Sequence, residues 1–192
     1  IRMKNPMGDD EWTSMLEQLV AQNPGQDQSV YLQLTRGVAE QRDHTIPEGI
    51  AATVFAMASP MHDPEPAVAG VSAITLDDIR WRLCNIKATT LLANVLLKQQ
   101  AKDAEAVESV LIRDGHALEG AASNLFIVSA EELITPPKSN YLLPGITRDL
   151  VLELAARNGL PHAERAITEA QLRAADEVWL TSSTKEIMPV TR

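Results

Sequence analysis

Pro60, Pro64 and Pro66 crowd the stretch from Ser59 to Gly70, and this one feature divides the chain. Each proline fixes its own φ and biases the residue before it away from the helical region, so the stretch suits an extended linker. The sequence therefore predicts a smaller α/β part over 1–58, a linker over 59–70 and a larger part over 71–192. In the first part, Trp12, Met15, Leu16, Leu19 and Val20 recur at helical spacing between Asp9 and Ala21, with Asp9 or Asp10 as the cap. Val30–Thr35 and Ala52–Met57 read as strands, with a loop around Pro24-Gly25 before them and a long polar loop, Arg36–Gly49, between them.

Beyond the linker, strand and helix signals alternate. A strand near Val71–Leu76 leads through Arg80-Trp81 to Lys87. A helix follows over Thr89–Ala104, with Leu91, Leu92, Val95 and Leu96 as its apolar face. Asp114-Gly115 suits a tight hairpin turn with positive φ. Further strands are expected at Asn124–Val128, Leu133–Thr135 and Glu177–Thr181. A helix over Thr147–Asn158 is closed by Gly159 and Pro161, and Thr168–Gln171 fits a capping box. The class is mixed α/β. Ile1-Arg2-Met3 reads as the end of an earlier element, and Ile187–Arg192 as a strand cut short, so the expectation is a segment of a longer protein.

The bulk properties narrow the function. The 192 residues are 45% hydrophobic and 22% charged, an ordinary balance for a folded domain. A net charge of −9 argues against a nucleic-acid partner. No apolar run has membrane-spanning length. Cys84 is the only cysteine, which favours a reducing, cytoplasmic setting and a small core thiol over a disulfide or a nucleophile. His62, His116 and His162 are scattered, so no metal site is expected.

Lys87 carries the sharpest chemical reading. A single lysine is far more often a solvated charge. Here Leu83 and Ile86 before it and the apolar helix face after it predict a buried junction, where a desolvated amine can attack an aldehyde and later move a proton. Glu119 ends an apolar run and precedes Gly120-Ala121-Ala122, whose small side chains admit a flat ligand. Its bland alternative is an exposed glutamate at a turn. Gly145-Ile146-Thr147 precedes a helix, and a helix N-terminus suits a phosphate, although Thr147 as a plain N-cap explains the same residues. Thr181-Ser182-Ser183-Thr184 offers further hydroxyl donors. In the first part, Arg42 can clamp a carboxylate or be a loop charge. Taken in this order, a lysine, an acid and a phosphate turn are the anchors of a pyridoxal phosphate site.

Four stretches, Arg80–Lys87, Leu118–Phe126, Leu143–Arg148 and Thr181–Ile187, carry a resemblance to the fold-type IV pyridoxal phosphate-dependent aminotransferases. Within that family the chain is most similar to the branch acting on D-amino acids such as D-alanine. The resemblance implies a small α/β domain followed by a larger pseudo-barrel domain, here incomplete at both termini. It implies Lys87 as the Schiff-base lysine and proton shuttle, Glu119 at the pyridine nitrogen and Leu143 against the ring. Ile146, Thr147 and Ser183 would then hold the phosphate, with Ser182 close to the cofactor. It further implies Arg42 and His44 as the pair binding the substrate α-carboxylate, and a homodimer. Ala122 stands where some relatives carry serine. The reaction implied is transamination between a D-amino acid and a 2-oxo acid. Branched-chain L-amino acid aminotransferase and aminodeoxychorismate lyase share the cofactor motifs, and an inactive fragment is the non-enzymatic alternative.

Overall fold

The computed structural model describes residues 1–23, 27–61 and 70–192. The chain separates into two compact units, Ile1–Asp63 and Pro64–Arg192. The Pro24-Gly25 loop, His62 and most of the proline-rich stretch, with Pro64 and Pro66, lie outside the described residues.

The first unit holds one helix and one hairpin. Helix α1 spans Asp9–Ala21. Its N-cap is Gly8, whose N–H donates to Glu11 Oε2 at 2.8 Å, so Asp9 and Asp10 fall inside the first turn and not at the cap expected from sequence. Acids there still favour the positive end of the helix dipole. Strands β1 (Gln28–Thr35) and β2 (Thr53–Pro60) pair antiparallel from Gln28↔Pro60 to Thr35↔Thr53. Ser59 and Pro60 thus belong to the hairpin, Pro60 being tolerated as the last residue of its strand.

The second unit is a closed sheet. Strand β3 (Ala73–Asp77) runs through a long loop to helix α2 (Leu92–Asp103) and returns as β4 (Glu108–Arg113), parallel to β3. Asp114 and Gly115, both at positive φ, turn β4 into β5 (His116–Gly120), as the sequence predicts. Then come β6 (Asn124–Ser129), β7 (Glu132–Thr135), helix α3 (Ile146–Arg157), the short strands β8 (His162–Glu164) and β9 (Ile167–Thr168), helix α4 (Glu169–Arg173), β10 (Glu177–Ser182) and β11 (Glu186–Pro189). Thr168 and Gln171 cap α4 reciprocally. The main path is β11-β10-β6-β5-β4-β3. A parallel bridge between Val71 and Val190 joins its two ends, with Val71 N donating to Pro189 O at 2.8 Å and Thr191 N to Val71 O at 2.9 Å. Closure removes the open edges that a sheet otherwise leaves.

Alternation along the strands sorts the core. On β6, Leu125 and Ile127 join a cluster with Val110 on β4, Leu180 on β10 and Met188 on β11. The intervening Phe126 faces Val151 and Ala155 of α3. A period of two thus sends odd positions to the barrel interior and even ones to the helix. On the other side, Leu97 of α2 packs on Leu111 and Ala121. Leu125 and Leu180 are fully buried, and each such side chain contributes about 1.5–3 kcal/mol of burial.

Helix α2 corrects one sequence expectation. Leu91, Leu92, Val95 and Leu96, read as its packing face, are exposed, at 49, 73, 59 and 48%. Leu97 and Ala101 make the contact instead. A run of leucine and valine across both sides of a helix gives a broad apolar stripe, and the narrower Leu97–Ala101 edge is the part that meets β4.

Candidate active site

One cleft of about 830 Å³ in the second unit is lined by Lys87, Glu119, Leu143, Ile146, Thr147, Ser182 and Ser183. Every residue that the sequence placed at the cofactor, from four separate stretches of chain, therefore meets in one place. The parallel β3-α2-β4 crossover brings Lys87, the β5–β6 corner brings Glu119, the start of α3 brings Ile146 and Thr147, and the end of β10 brings the serines.

Glu119 is the best-defined member. It is 4% exposed, which overturns the exposed-turn alternative. Its Oε1 accepts from Arg80 Nη1 at 2.5 Å, while Oε2 accepts from Asn124 Nδ2 at 3.1 Å and from the Leu143 N–H at 3.0 Å. All these partners are donors, an arrangement that suits the carboxylate. Burial pushes the Glu119 carboxyl up to about 7, against the downward pull of Arg80 and of the Leu143 N–H.

Behind Glu119 stands a buried ion network. Arg80 Nε donates to Asp78 Oδ1 at 2.8 Å and Nη2 to Asp78 Oδ2 at 3.0 Å, with Nη2 also reaching Tyr141 O at 3.0 Å. Arg113 Nη2 meets Asp78 Oδ2 at 3.0 Å, and its guanidinium lies 4.5 Å from the Tyr141 ring centre. Two acids face two guanidiniums, so the cluster is neutral. Burial works against the charged Arg80, but Asp78 and Glu119 more than offset it and raise its pKa. Burial likewise raises the pKa of Cys84, which lines the cleft and donates to Trp81 O.

Lys87 departs from expectation. Strand β3 ends at Asp77, so Lys87 sits in the long loop ahead of α2. It is exposed at the cleft and not at a buried junction, because the flanking Leu83 and the outer face of α2 turn outward. Helix α3 starts one residue before the predicted Thr147, at Ile146, with Gly145 as N-cap and no side-chain cap. The backbone N–H groups of its first turn are thus the helix's own unfilled donors. Arg148, buried beside them, donates to Pro136 O at 2.8 Å and pairs with Glu164, fixing the helix start.

Arg42 and His44 lie in the first unit, both exposed, on the connection between β1 and β2. Asp43 shapes the local turn, its Oδ1 accepting from His44 N and its Oδ2 from Thr45 Oγ1, each at 2.6 Å. Among the described residues no group of His, Cys, Asp and Glu could hold a metal ion, and no helix is long and apolar enough to cross a membrane.

The cleft fits a flat phosphorylated ring. It offers a buried acid surrounded by donors, small residues at Gly120–Ala122 and an uncapped helix start. It also has a buried hydroxyl, Thr181 Oγ1, with no hydrogen-bond partner among the described residues. Sequence reading gave no role to Arg80 or Asn124, and offered Thr181 only as one of four hydroxyl donors in the Thr181–Thr184 turn. Arg80 and Asn124 stood inside the recognisable stretches, but their partners are separated in sequence and only folding reveals them.

The chain belongs to the class IV aminotransferases, whose family model, described as Amino-transferase class IV, matches residues 1–192. It is 45% identical over 182 residues to the D-alanine aminotransferase of Bacillus licheniformis, covering 94% of this chain and 64% of that protein. It is 40% identical over 191 residues to the D-alanine aminotransferase of Listeria monocytogenes serotype 1/2a, covering 97% of this chain and 65% of that protein. A solved branched-chain aminotransferase from Thermoproteus uzoniensis superposes with a TM-score of 0.82 at 27% identity, covering 96% of this chain and 64% of that one. The chain thus spans slightly less than two thirds of the length of these relatives.

Proposed function

We propose that the whole protein is a pyridoxal phosphate-dependent aminotransferase that exchanges the amino group of a D-amino acid, such as D-alanine, with a 2-oxo acid. The observation that carries this reading is Glu119, a buried carboxylate held by Arg80, Asn124 and the Leu143 N–H at the wall of the cleft that Lys87 lines. The D-alanine aminotransferases that the chain is similar to favour D-substrates over the branched-chain alternative.

Bound pyridoxal phosphate supplies an aldehyde that takes up the amino group and a protonated ring that absorbs charge from the substrate Cα. Glu119 keeps the proton on the ring nitrogen. The N–H groups opening α3 at Ile146 and Thr147, with Ser183, bind the phosphate, and the dipole of α3 adds to that attraction. Leu143 would pack against the ring and Ser182 would lie beside it, both lining the cleft. The Lys87 amine anchors the cofactor, then takes the Cα proton and returns it on the path to product. Arg42, with His44, would bind the substrate α-carboxylate through paired hydrogen bonds. The small unit before the proline-rich linker carries these two residues. The reading includes a homodimer and a cytoplasmic location, the latter supported by the single free thiol Cys84.

The test is borohydride reduction of the full-length protein mixed with pyridoxal phosphate, followed by peptide mapping and by assays with D- and L-alanine. Label on Lys87 with turnover of D-alanine is the expected result. Label scattered over other lysines overturns the site, and preference for L-alanine overturns the substrate class.

A further inference from the structure

We propose that Asn124 is a positioning residue that ties the two ends of the cofactor cradle together, so that the acid at the ring nitrogen and the helix start at the phosphate keep one fixed separation. This rests on the reading that the cleft holds pyridoxal phosphate. Asn124 opens β6 and is 7% exposed. Its Nδ2 donates to Glu119 Oε2 at 3.1 Å and to Leu143 O at 2.8 Å, and the Leu143 N–H donates to the same Glu119 oxygen at 3.0 Å. One amide therefore joins the strand-borne acid to the turn that leads into α3.

The other side of the same amide meets the helix itself. A Cβ on Gly145, the N-cap of α3, would lie 2.0 Å from Asn124 Oδ1. Only a residue without a side chain allows the helix start to come this close, and backbone approach of this kind is a use to which glycine is put. The amide's orientation follows from its neighbours. Both Nδ2 contacts are oxygens that accept, so a flipped amide would set oxygen against oxygen twice. Asparagine is also the side chain that satisfies this site. Aspartate has its shape but would face Glu119 with a second acid, and alanine would leave both acceptors short of a donor.

A residue that merely filled space would alter stability alone. One that sets the distance between ring anchor and phosphate anchor alters how much the phosphate adds to binding. The probes are pyridoxal phosphate and pyridoxal, which lacks the phosphate, bound to the full-length protein freed of cofactor. The ratio of their dissociation constants reports the contribution of the phosphate end. Asn124→Ala should reduce that ratio by about tenfold or more, since displacing one anchor by a fraction of an ångström spoils simultaneous contact at both.

Asn124→Asp, nearly the same size, gives the same direction if the alanine variant fails to fold. Gly145→Ala approaches the contact from the other side. It should lower the ratio in the natural protein and do so much less with Asn124→Ala present, where the clash is relieved. An unchanged ratio in Asn124→Ala and Asn124→Asp, with Lys87 still labelled by borohydride, overturns this inference alone. Absence of label on Lys87 in the natural protein overturns the cofactor reading and this inference with it.

Discussion

Arg80 Nη1 stands 2.5 Å from Glu119 Oε1, a pair brought together across 39 residues and buried on both sides. The pair matters because Glu119 has no other charged partner within hydrogen-bond reach among the described residues. Arg80 in turn is held by Asp78, whose own side chain is fully buried.

Arg80→Met removes the guanidinium and leaves Glu119 and Asp78 as buried acids, with Arg113 still on Asp78. Breaking a buried pair from one side costs about 3–5 kcal/mol, and chemical denaturation of the full-length protein should show a loss of that order. Arg80→Lys keeps the charge but cannot reproduce the forked contacts to Asp78 and Glu119, so it should restore only part of the loss. Full recovery in the lysine variant would show that charge alone, and not the fork, holds the acid.

The pH dependence of the cofactor-free protein follows from Glu119. Burial pushes its carboxyl up from an ordinary 4.5 to about 7. The folded state therefore holds the proton more tightly than the unfolded state does. This contribution to stability is fully present below about 4.5 and is lost as pH rises through about 7. Glu119→Gln cannot ionise and should lack the trend. Denaturation of both proteins between these limits should show the natural protein losing ground to the variant as pH rises, by on the order of 3 kcal/mol at most. A flat difference, or a gain with pH, would mean that Arg80 governs the carboxyl more than burial does.

Lys87 separates chemistry from stability cleanly, because it is exposed and makes no hydrogen bond or ion pair among the described residues. Lys87→Ala should change unfolding free energy by less than about 0.5 kcal/mol, as for other surface substitutions. Transamination should fall by at least about 10²–10⁴-fold, the range for removing a positioned proton carrier. Rates with D-alanine alongside melting curves check both halves.

These variants also show what could be read from the chain. That Lys87, Glu119 and the Gly145-Ile146-Thr147 turn line one cleft was legible because each lies in a short stretch with its own local pattern: small residues after the acid, a helix start after the glycine. The Asp114-Gly115 hairpin and the Thr168–Gln171 cap were legible for the same reason. Arg80 and Asn124 were not assigned roles, since their significance lies in contacts to Glu119 and Leu143 made only in three dimensions. Strands β8 and β9, three and two residues long, carry no periodicity to detect. The exposure of Lys87 and of the α2 leucines was missed because apolar composition alone does not say which side of a helix meets the sheet.

Thr181 makes the last prediction, through a hydroxyl that is buried at 1% exposure and has no hydrogen-bond partner among the described residues. It lies on β10 opposite Asn124 and lines the cleft. Without a ligand the hydroxyl is a desolvated donor with nothing to donate to, a cost of about 1–3 kcal/mol. Thr181→Val replaces it with a methyl of similar size, so the cofactor-free protein should be as stable as before or more stable. On the proposed reading, bound pyridoxal phosphate would give this hydroxyl an acceptor, and hydrogen bonds to charged groups contribute about 1.5–3 kcal/mol. The variant should therefore bind the cofactor roughly tenfold to a hundredfold more weakly. Opposite signs for stability and affinity are the signature to look for. A variant that loses stability without its cofactor would show that Thr181 serves the fold, and one with unchanged affinity would show that its hydroxyl never meets the ligand.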